Sequence, residues 1–333
     1  MSARATRNIG FPTVRITRLG DVQSRERRVA VGSFDGVHLG HREVIRGSDT
    51  VLTFDPHPSA IVAPQHTPKL LTTLQAKAEL VETLGAQEMI VIGFDADFAK
   101  RSAREFIDDV LVGTLGATYV SVGENFRFGN RAKGDPRMLA EDERFSTRVA
   151  PLLEVEGEIV SSSHIRGLVL AGEVEQAARF LGAPFQMRGE VVHGDQRGRE
   201  LAFPTANLIP EDALVCPGHG VYACLADTLT PHDGGQAGTP SGAQAGGLPA
   251  AVNIGVRPTF DTGRGELIEA HILDFDGNLY GKELRLDFIS RLRGERRFQS
   301  AEELVKQMRR DVERAREITT AYTPGDGTGP TGC

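Results

Sequence analysis

The sequence predicts two modules in tandem: a doubly wound α/β domain built on a parallel sheet, then an antiparallel sheet or small barrel followed by a terminal helix. Three observations predict this. Short apolar runs alternate with helical stretches through the first half, the rhythm of βαβ units. In the second half that rhythm gives way to short alternating runs separated by turn residues. A helical pattern from Ala301 to about Thr319 closes the chain, opened by Ser300 with Glu303 three residues on.

The elements follow in order. Val29-Ala30-Val31 is a strand that breaks into Gly32-Ser33-Phe34-Asp35-Gly36. Thr50-Val51-Leu52-Thr53-Phe54 is a second, ending at Asp55-Pro56. From Leu74 to Leu84, Leu74, Ala78 and Val81 recur at helical spacing. Met89-Ile90-Val91-Ile92 is a third strand, 103–115 a second amphipathic helix, and Tyr119-Val120-Ser121-Val122 a fourth strand. Parallel sheets of this kind hold ligands at the carboxyl ends of their strands. The loops after Val31, Phe54, Ile92 and Val122 are therefore expected along one edge.

In the second half, strands are expected over 189–193, 220–224, 251–254, 267–273 and 283–288. The boundary falls near Leu181-Gly182-Ala183-Pro184, giving domains 12–181 and 182–320. Residues 229–250, rich in Gly, Pro, Ser and Thr, read as a flexible hairpin loop, and 321–333 as a disordered tail.

Composition bounds the function. The 333 residues carry 38 Lys and Arg against 45 Asp and Glu, a net charge of −7 that gives no global field for nucleic acid. A hydrophobic share of 40% excludes global disorder. No apolar run approaches the roughly 18 residues that span a bilayer, and no apolar stretch near the start resembles a secretory signal. Cys216, Cys224 and Cys333 form neither a disulfide framework nor a metal knuckle. The expectation is a cytoplasmic protein of small-molecule substrates, without nucleic acid or membrane; homo-oligomerisation is left open.

Chemistry concentrates first at Gly32-Ser33-Phe34-Asp35-Gly36-Val37-His38-Leu39-Gly40-His41, between a strand and a helix. Glycines allow close backbone approach, and free N–H groups at a helix start suit phosphate. His38 and His41, three apart, share one face of the first turn. Two imidazole donors there could hold a triphosphate and stabilise the charge that grows when its α-phosphorus is attacked, the bland alternative being a surface turn with two incidental histidines. Phe54-Asp55-Pro56-His57-Pro58 stiffens the next loop. Gly123-Glu124-Asn125-Phe126-Arg127-Phe128-Gly129 reads alone as a turn with packed phenylalanines. In Ser161-Ser162-Ser163-His164-Ile165-Arg166 the serines read as helix caps, and Arg166 suits phosphate.

In this order, these motifs resemble the prokaryotic bifunctional riboflavin kinase/FAD synthetase family. The second half extends the resemblance through His193 to Leu208, Asn253-Ile254-Gly255-Val256-Arg257-Pro258-Thr259-Phe260 and Glu269-Ala270-His271-Ile272-Leu273-Asp274-Phe275, so it covers roughly 12–318. The resemblance implies an FMN adenylyltransferase of the nucleotidyltransferase superfamily, Rossmann-like, and then a riboflavin kinase on an antiparallel six-stranded β-barrel. ATP would be co-substrate, riboflavin, FMN and FAD substrates and products, and Mg²⁺ the cofactor. His38 and His41 would support adenylyl transfer within the phosphate-binding run that includes Gly32, Phe34, Asp35 and Gly40. Asn125 would contact the nucleotide phosphates. Ser162 and Arg166 would belong to a phosphate loop, and Pro56, Pro58 and Val62 would lie beside the isoalloxazine ring.

In the second half, Gly194, Gly198, Arg197 and Arg199 make a turn suited to cradling phosphates. Thr205 and Asn207 offer hard oxygen ligands suited to Mg²⁺, although alone the segment reads first as a strand entry with an Asx turn. Glu269 lies in an alternating run, on one face with His271 and Leu273. By itself it reads as a solvent-facing strand residue; the resemblance makes it the catalytic base. Two departures stand out. Ala202 replaces the expected Gly before Phe203-Pro204-Thr205. Only Arg42 to Asp49 separate His41 from the next strand. An alternative is therefore a riboflavin kinase alone, its adenylyltransferase module weakened by the short helix.

Overall fold

Alternation of apolar runs with helices builds a parallel sheet in the first module. The computed structural model describes residues 14–192, 203–229, 247–256 and 266–323. β1 (Arg15–Arg18), β2 (Arg27–Val31), β3 (Thr50–Asp55), β4 (Glu88–Gly93), β5 (Ala117–Gly123) and β6 (Ser146–Ala150) pair in the order β1-β4-β3-β2-β5-β6, every pair parallel. The four expected strands are the central ones. The edge strands β1 and β6 escape the sequence reading because each is short and polar, as edge strands commonly are. A small antiparallel ribbon, β7 (Glu154–Val155) with β8 (Glu158–Ile159), follows.

Both faces of the sheet are covered. On one, α1 (Leu39–Ile45) places Val44 and Ile45 in a core with Ala30, Val51 and Met89. After α2 (Pro58–Val62), α3 (Leu74–Thr83) adds Ala78 and Val81 to the same core. The two-turn α1 thus closes the crossover that the short spacing put in question. On the other face, Phe106, Ile107, Val110 and Leu111 pack with Val29, Leu52, Ile90 and Val120. The helix expected over 103–115 starts with a capping box, the Ser102 Oγ accepting the Glu105 N–H, as α4 (Ala103–Glu105). It continues as a π-helix over Phe106–Thr114. α5 (Pro136–Ala140) leads into β6.

The chain's packing divides at Ser162/Ser163, ahead of the boundary expected from composition near Leu181. The physical reason is that α6 (Ser162–Ala171) and α7 (Val174–Leu181) are bonded to the second module. Gly218 N–H donates to the Val169 carbonyl at 3.0 Å, Arg291 to the Ala171 carbonyl at 3.1 Å, and the Glu175 carboxylate accepts from the Ser290 hydroxyl and Arg291 N–H.

β9 (Phe185–Val192), β10 (Ala206–Leu208), β11 (Gly220–Thr228), β12 (Leu248–Val256), β13 (Glu266–Ile272) and β14 (Glu283–Arg293) close an antiparallel barrel in the order β10-β13-β12-β11-β14-β9. Alternation sends Leu208, Ile268, Ala270, Val252, Tyr222 and Phe288 inward. On the outer face α8 (Ala301–Ala321) lays Ala315 against Ala223 and Ala251. Its Ser300 cap accepts the Glu303 N–H as expected, but the Glu303 carboxylate accepts from Gln299 rather than from Ser300. Two boundaries shift. β12 begins at Leu248, pairing with Ala226, so the hairpin loop is narrower than 229–250. Strand β13 ends at Ile272, so Leu273 leaves the alternation and is buried. Residues 230–246 of that loop and 324–333 of the tail lie outside the described residues.

Candidate active sites

In the first module the chain runs β2 to β3 to β4 on one side of β2, then places β5 and β6 on the other. The carboxyl ends of β2 and β5 therefore flank the point where strand order reverses, where open α/β sheets bind ligands. The loop after β2 ends at His38 and leads into α1, which carries His41 in its first turn; the turn after β5 carries Asn125.

That first loop is held in sparsely populated backbone geometry. Phe34 and Val37 have φ of +48° and +40°, and Gly36 +85°. Non-glycine residues persist there only when surroundings over-determine them. Here the Asp35 carboxylate accepts the N–H groups of Leu71 (2.8 Å) and Thr72 (3.2 Å), and Gly36 N–H donates to the Thr72 hydroxyl at 3.1 Å. The Ser33 carbonyl accepts from the Thr53 hydroxyl at 3.0 Å and from Lys77 Nζ at 2.6 Å. The Ser162 hydroxyl donates to the Asp35 carbonyl at 2.9 Å.

The two imidazoles meet at the start of α1. His38 is its N-cap: Nδ1 accepts the His41 backbone N–H at 3.2 Å. An accepting Nδ1 places the neutral ring's proton on Nε2. The rings stack with centroids 3.5 Å apart, and Phe34 meets His41 edge-on at 5.3 Å. Gly40 makes room: a Cβ there would lie 3.3 Å from the His38 ring. Burial pulls the His38 pKa down to about 4, with Arg42 adding to the effect. His41 is held well below its ordinary value by burial, then by His38 and Lys77. Its Nδ1 is buried without a hydrogen-bond partner, an orphan polar atom of the kind that marks functional sites.

The remaining residues expected in this site fall as follows. The Phe34 ring is buried, so only its backbone faces the loop. Gly32 allows that ring its place, since a Cβ would lie 3.0 Å from it. Asn125 is exposed, its Oδ1 folded back over Gly123. Pro56 precedes α2, Pro58 opens it, and Val62 ends it at 64% exposure. Arg166 is half-buried in α6 and belongs to the second module.

Sequence reasoning missed Lys77. It lies on α3, 7% exposed, and its Nζ also donates to the Thr53 hydroxyl at 3.2 Å. Burial lowers its pKa to about 8, against the opposing pull of Asp35 and Asp55. The signal was present: Lys77 stands three residues after Leu74 and four before Val81, on the apolar face.

In the barrel, register brings a polar row together. Asn207 on β10 and Asn253 on β12 are both Cα partners of Glu269 on β13. Asn253 donates to the Glu269 carboxylate at 3.4 Å. Asn207 is buried, and Thr205 stands one residue before β10. His271, on the same face as Glu269, bonds through Nδ1 to the Pro204 carbonyl at 2.8 Å and meets Phe203 edge-on at 5.4 Å. It ties down the segment that carries Thr205. Asn253 was also missed as a site residue: its run reads as a strand and as part of the resemblance, and neither reading gives its side chain a role. Gly194, Arg197, Gly198, Arg199 and Ala202 lie outside the described residues.

Asn207 faces Glu269 across the ladder and Thr205 leads into the same strand; their amide and hydroxyl oxygens are hard donors, a set that fits Mg²⁺ held partly by substrate phosphates. Among the described residues no group of three or more His, Cys, Asp or Glu could hold a metal by itself, and no helix is long and apolar enough to cross a membrane.

Comparison with known proteins bears on both modules. A family model described as FAD synthetase matches residues 21–164, and one described as riboflavin kinase matches 181–319. The bifunctional riboflavin kinase/FMN adenylyltransferase of Bacillus subtilis is 35% identical over 86% of this chain and 90% of its own length. The enzyme of the same name from Escherichia coli is 34% identical over 87% and 92%. A crystal structure described as a macrolide-efflux protein from Streptococcus pneumoniae superposes with a TM-score of 0.78 at 27% identity, covering 93% of this chain and 100% of that one. With matched motifs in both modules and relatives aligned along nearly their whole length, the chain belongs to the bifunctional riboflavin kinase/FMN adenylyltransferase family.

Proposed function

We propose that the chain makes FMN and then FAD at two separate sites, with His38 and His41 serving one and Thr205, Asn207 and Glu269 the other. The chain is an enzyme, a riboflavin kinase and an FMN adenylyltransferase. The single observation that carries the two-site reading is the pairing of Asn207 with Glu269 in the barrel, in a unit that does not contain the imidazole stack.

In the kinase site, Glu269 accepts the proton of the riboflavin 5′-hydroxyl as that oxygen attacks the γ-phosphorus of ATP; ADP leaves and FMN remains. Asn253 orients the carboxylate, and His271 fixes the strand-leading segment. Thr205 and Asn207 would hold Mg²⁺, which when bound neutralises phosphate charge. By the resemblance, Gly194, Gly198 and Arg199 would bind the ATP phosphates.

In the adenylyltransferase site, an FMN phosphate oxygen attacks the α-phosphorus of a second ATP and pyrophosphate leaves. Catalysis there rests on positioning and electrostatics. The neutral His38 presents its Nε2–H to the phosphates, His41 joins it from the stacked ring, and the backbone of Gly32 to Gly40 with Asn125 lines the nucleotide. Pro56, Pro58 and Val62 offer the flavin ring an apolar edge. Ser162, bonded to the Asp35 carbonyl, serves the phosphate side of the same loop; by the resemblance Arg166 would act on the leaving pyrophosphate. Asp35 acts here by bracing the loop. The unit ending at Ser162 would carry adenylyl transfer and the unit beginning at Ser163 the kinase reaction. The short helix gives the kinase-alone reading no support, since Val44 and Ile45 are fully packed. Dependence on ATP fits a cytoplasmic enzyme.

The test separates the half-reactions in the full-length chain. Glu269→Gln should cut FMN formation by on the order of 10²- to 10⁴-fold, the worth of a general base, and spare FAD formation from supplied FMN. His38→Ala with His41→Ala should do the reverse. Loss of both reactions from either variant would refute the two-site assignment.

A further inference from the structure

We propose that Lys77 is a positioning residue for adenylyl transfer: its buried ammonium anchors the Ser33 carbonyl and so holds the strained turn that presents His38 and His41. The proposal rests on the imidazole pair being the adenylyltransferase site.

The geometry is specific. Lys77 Nζ reaches the Ser33 carbonyl at 2.6 Å and the Thr53 hydroxyl at 3.2 Å, and Thr53 in turn donates to Ser33 at 3.0 Å. The three groups form a closed triangle at the carboxyl end of β2. The next five residues include three with positive φ and end at His38. Such a turn relaxes unless it is pinned from outside. Asp35 and Gly36 pin its middle to Leu71 and Thr72; Lys77 pins its start.

A lysine is an expensive pin. A Thr hydroxyl already satisfies the Ser33 carbonyl, so hydrogen bonding alone does not require the charge. The groups facing Lys77 are Asp35 from the turn, Asp55 from the end of β3 and His41 from α1. Burial wins over both carboxylates and lowers the lysine's pKa to about 8, so near neutral pH the fold carries a charged group it disfavours. A buried charge retained against stability points to function rather than to folding. Its position beside His41 supplies that function: it keeps a second positive charge off the imidazole stack while adding its own to the field that meets the triphosphate.

Lys77→Met keeps the side-chain stem and removes the charge. The full-length variant is assayed for FAD formation from FMN and ATP, for FMN formation from riboflavin as an internal control, and for melting temperature. The His41 ring titration is followed by NMR. We expect kcat for FAD formation to fall by on the order of 10²-fold, the cost of misplacing a site by about 1 Å. KM for ATP should move far less, because Lys77 does not touch the nucleotide in this scheme. FMN formation should be unchanged, the melting temperature equal or higher, and the His41 midpoint higher. An unchanged kcat, an unmoved His41 midpoint, or a kcat loss that accompanies a lower melting temperature would each overturn the proposal, the last by showing a structural role. The site reading fails separately. If His38→Ala with His41→Ala still makes FAD, the imidazole assignment falls; if that variant is inactive while Lys77→Met is active, only the Lys77 role falls.

Discussion

The Nδ1 of His38 accepts the backbone N–H of His41 at 3.2 Å while the two rings stack 3.5 Å apart, so one histidine caps the helix on which the other rides. This contact needs a neutral His38, since a protonated ring has no acceptor nitrogen.

Stability of the first module should therefore depend on acid. The folded pKa of His38 is about 4, below the ordinary 6.5. Between those values the unfolded chain binds the proton more readily, so unfolding is favoured as pH falls. The contribution is fully present above about pH 6.5 and lost on descending through pH 4, up to about 3 kcal/mol from this group alone. Urea unfolding of the module between pH 7 and 4 should show that slope. His38→Asn, whose amide oxygen can still cap the helix, should flatten it; an equally steep slope in that variant would disprove the assignment.

In the barrel, His271 is expected to act through Phe203-Pro204-Thr205. His271→Phe preserves the ring against Phe203 and removes the 2.8 Å bond to the Pro204 carbonyl. The stability cost should be small, about 1 kcal/mol for one hydrogen bond. Riboflavin phosphorylation should drop more than that loss explains, with a higher Mg²⁺ requirement, because the Thr205 segment is released. Kinase rates at graded Mg²⁺ measure it; a native Mg²⁺ profile would count against a positioning role.

Asp35 was grouped with the phosphate-binding residues by resemblance, yet its carboxylate faces Leu71 and Thr72 rather than open loop. Asp35→Ala strips two backbone donors of a buried, charged acceptor. We expect a loss of roughly 3 kcal/mol or more, each orphaned donor costing about 1–3, with FAD formation falling alongside stability. Thermal melts run beside the FAD assay would decide this. A variant of native stability that cannot use ATP would return Asp35 to direct binding.

The sequence by itself determined the two-module order, the central strands β2 to β5, the barrel's alternating strands and the capped terminal helix. Each of these is written in local periodicity, and periodicity follows from backbone geometry alone. It also placed His38, His41, Asn207 and Glu269 as candidates, because strand-to-turn context and motif order are linear features. Tertiary structure alone decided the rest. The edge strands β1 and β6 depend on a neighbour to pair with, and Arg15-Ile16-Thr17-Arg18 carries no apolar signal strong enough to announce one. Lys77 and Ser33 are 44 positions apart, and their bond exists only because α3 packs across the end of β2. Likewise Asn253 and Asn207 meet Glu269 only through barrel register, which depends on how strands close around a shared core and on no single stretch of chain.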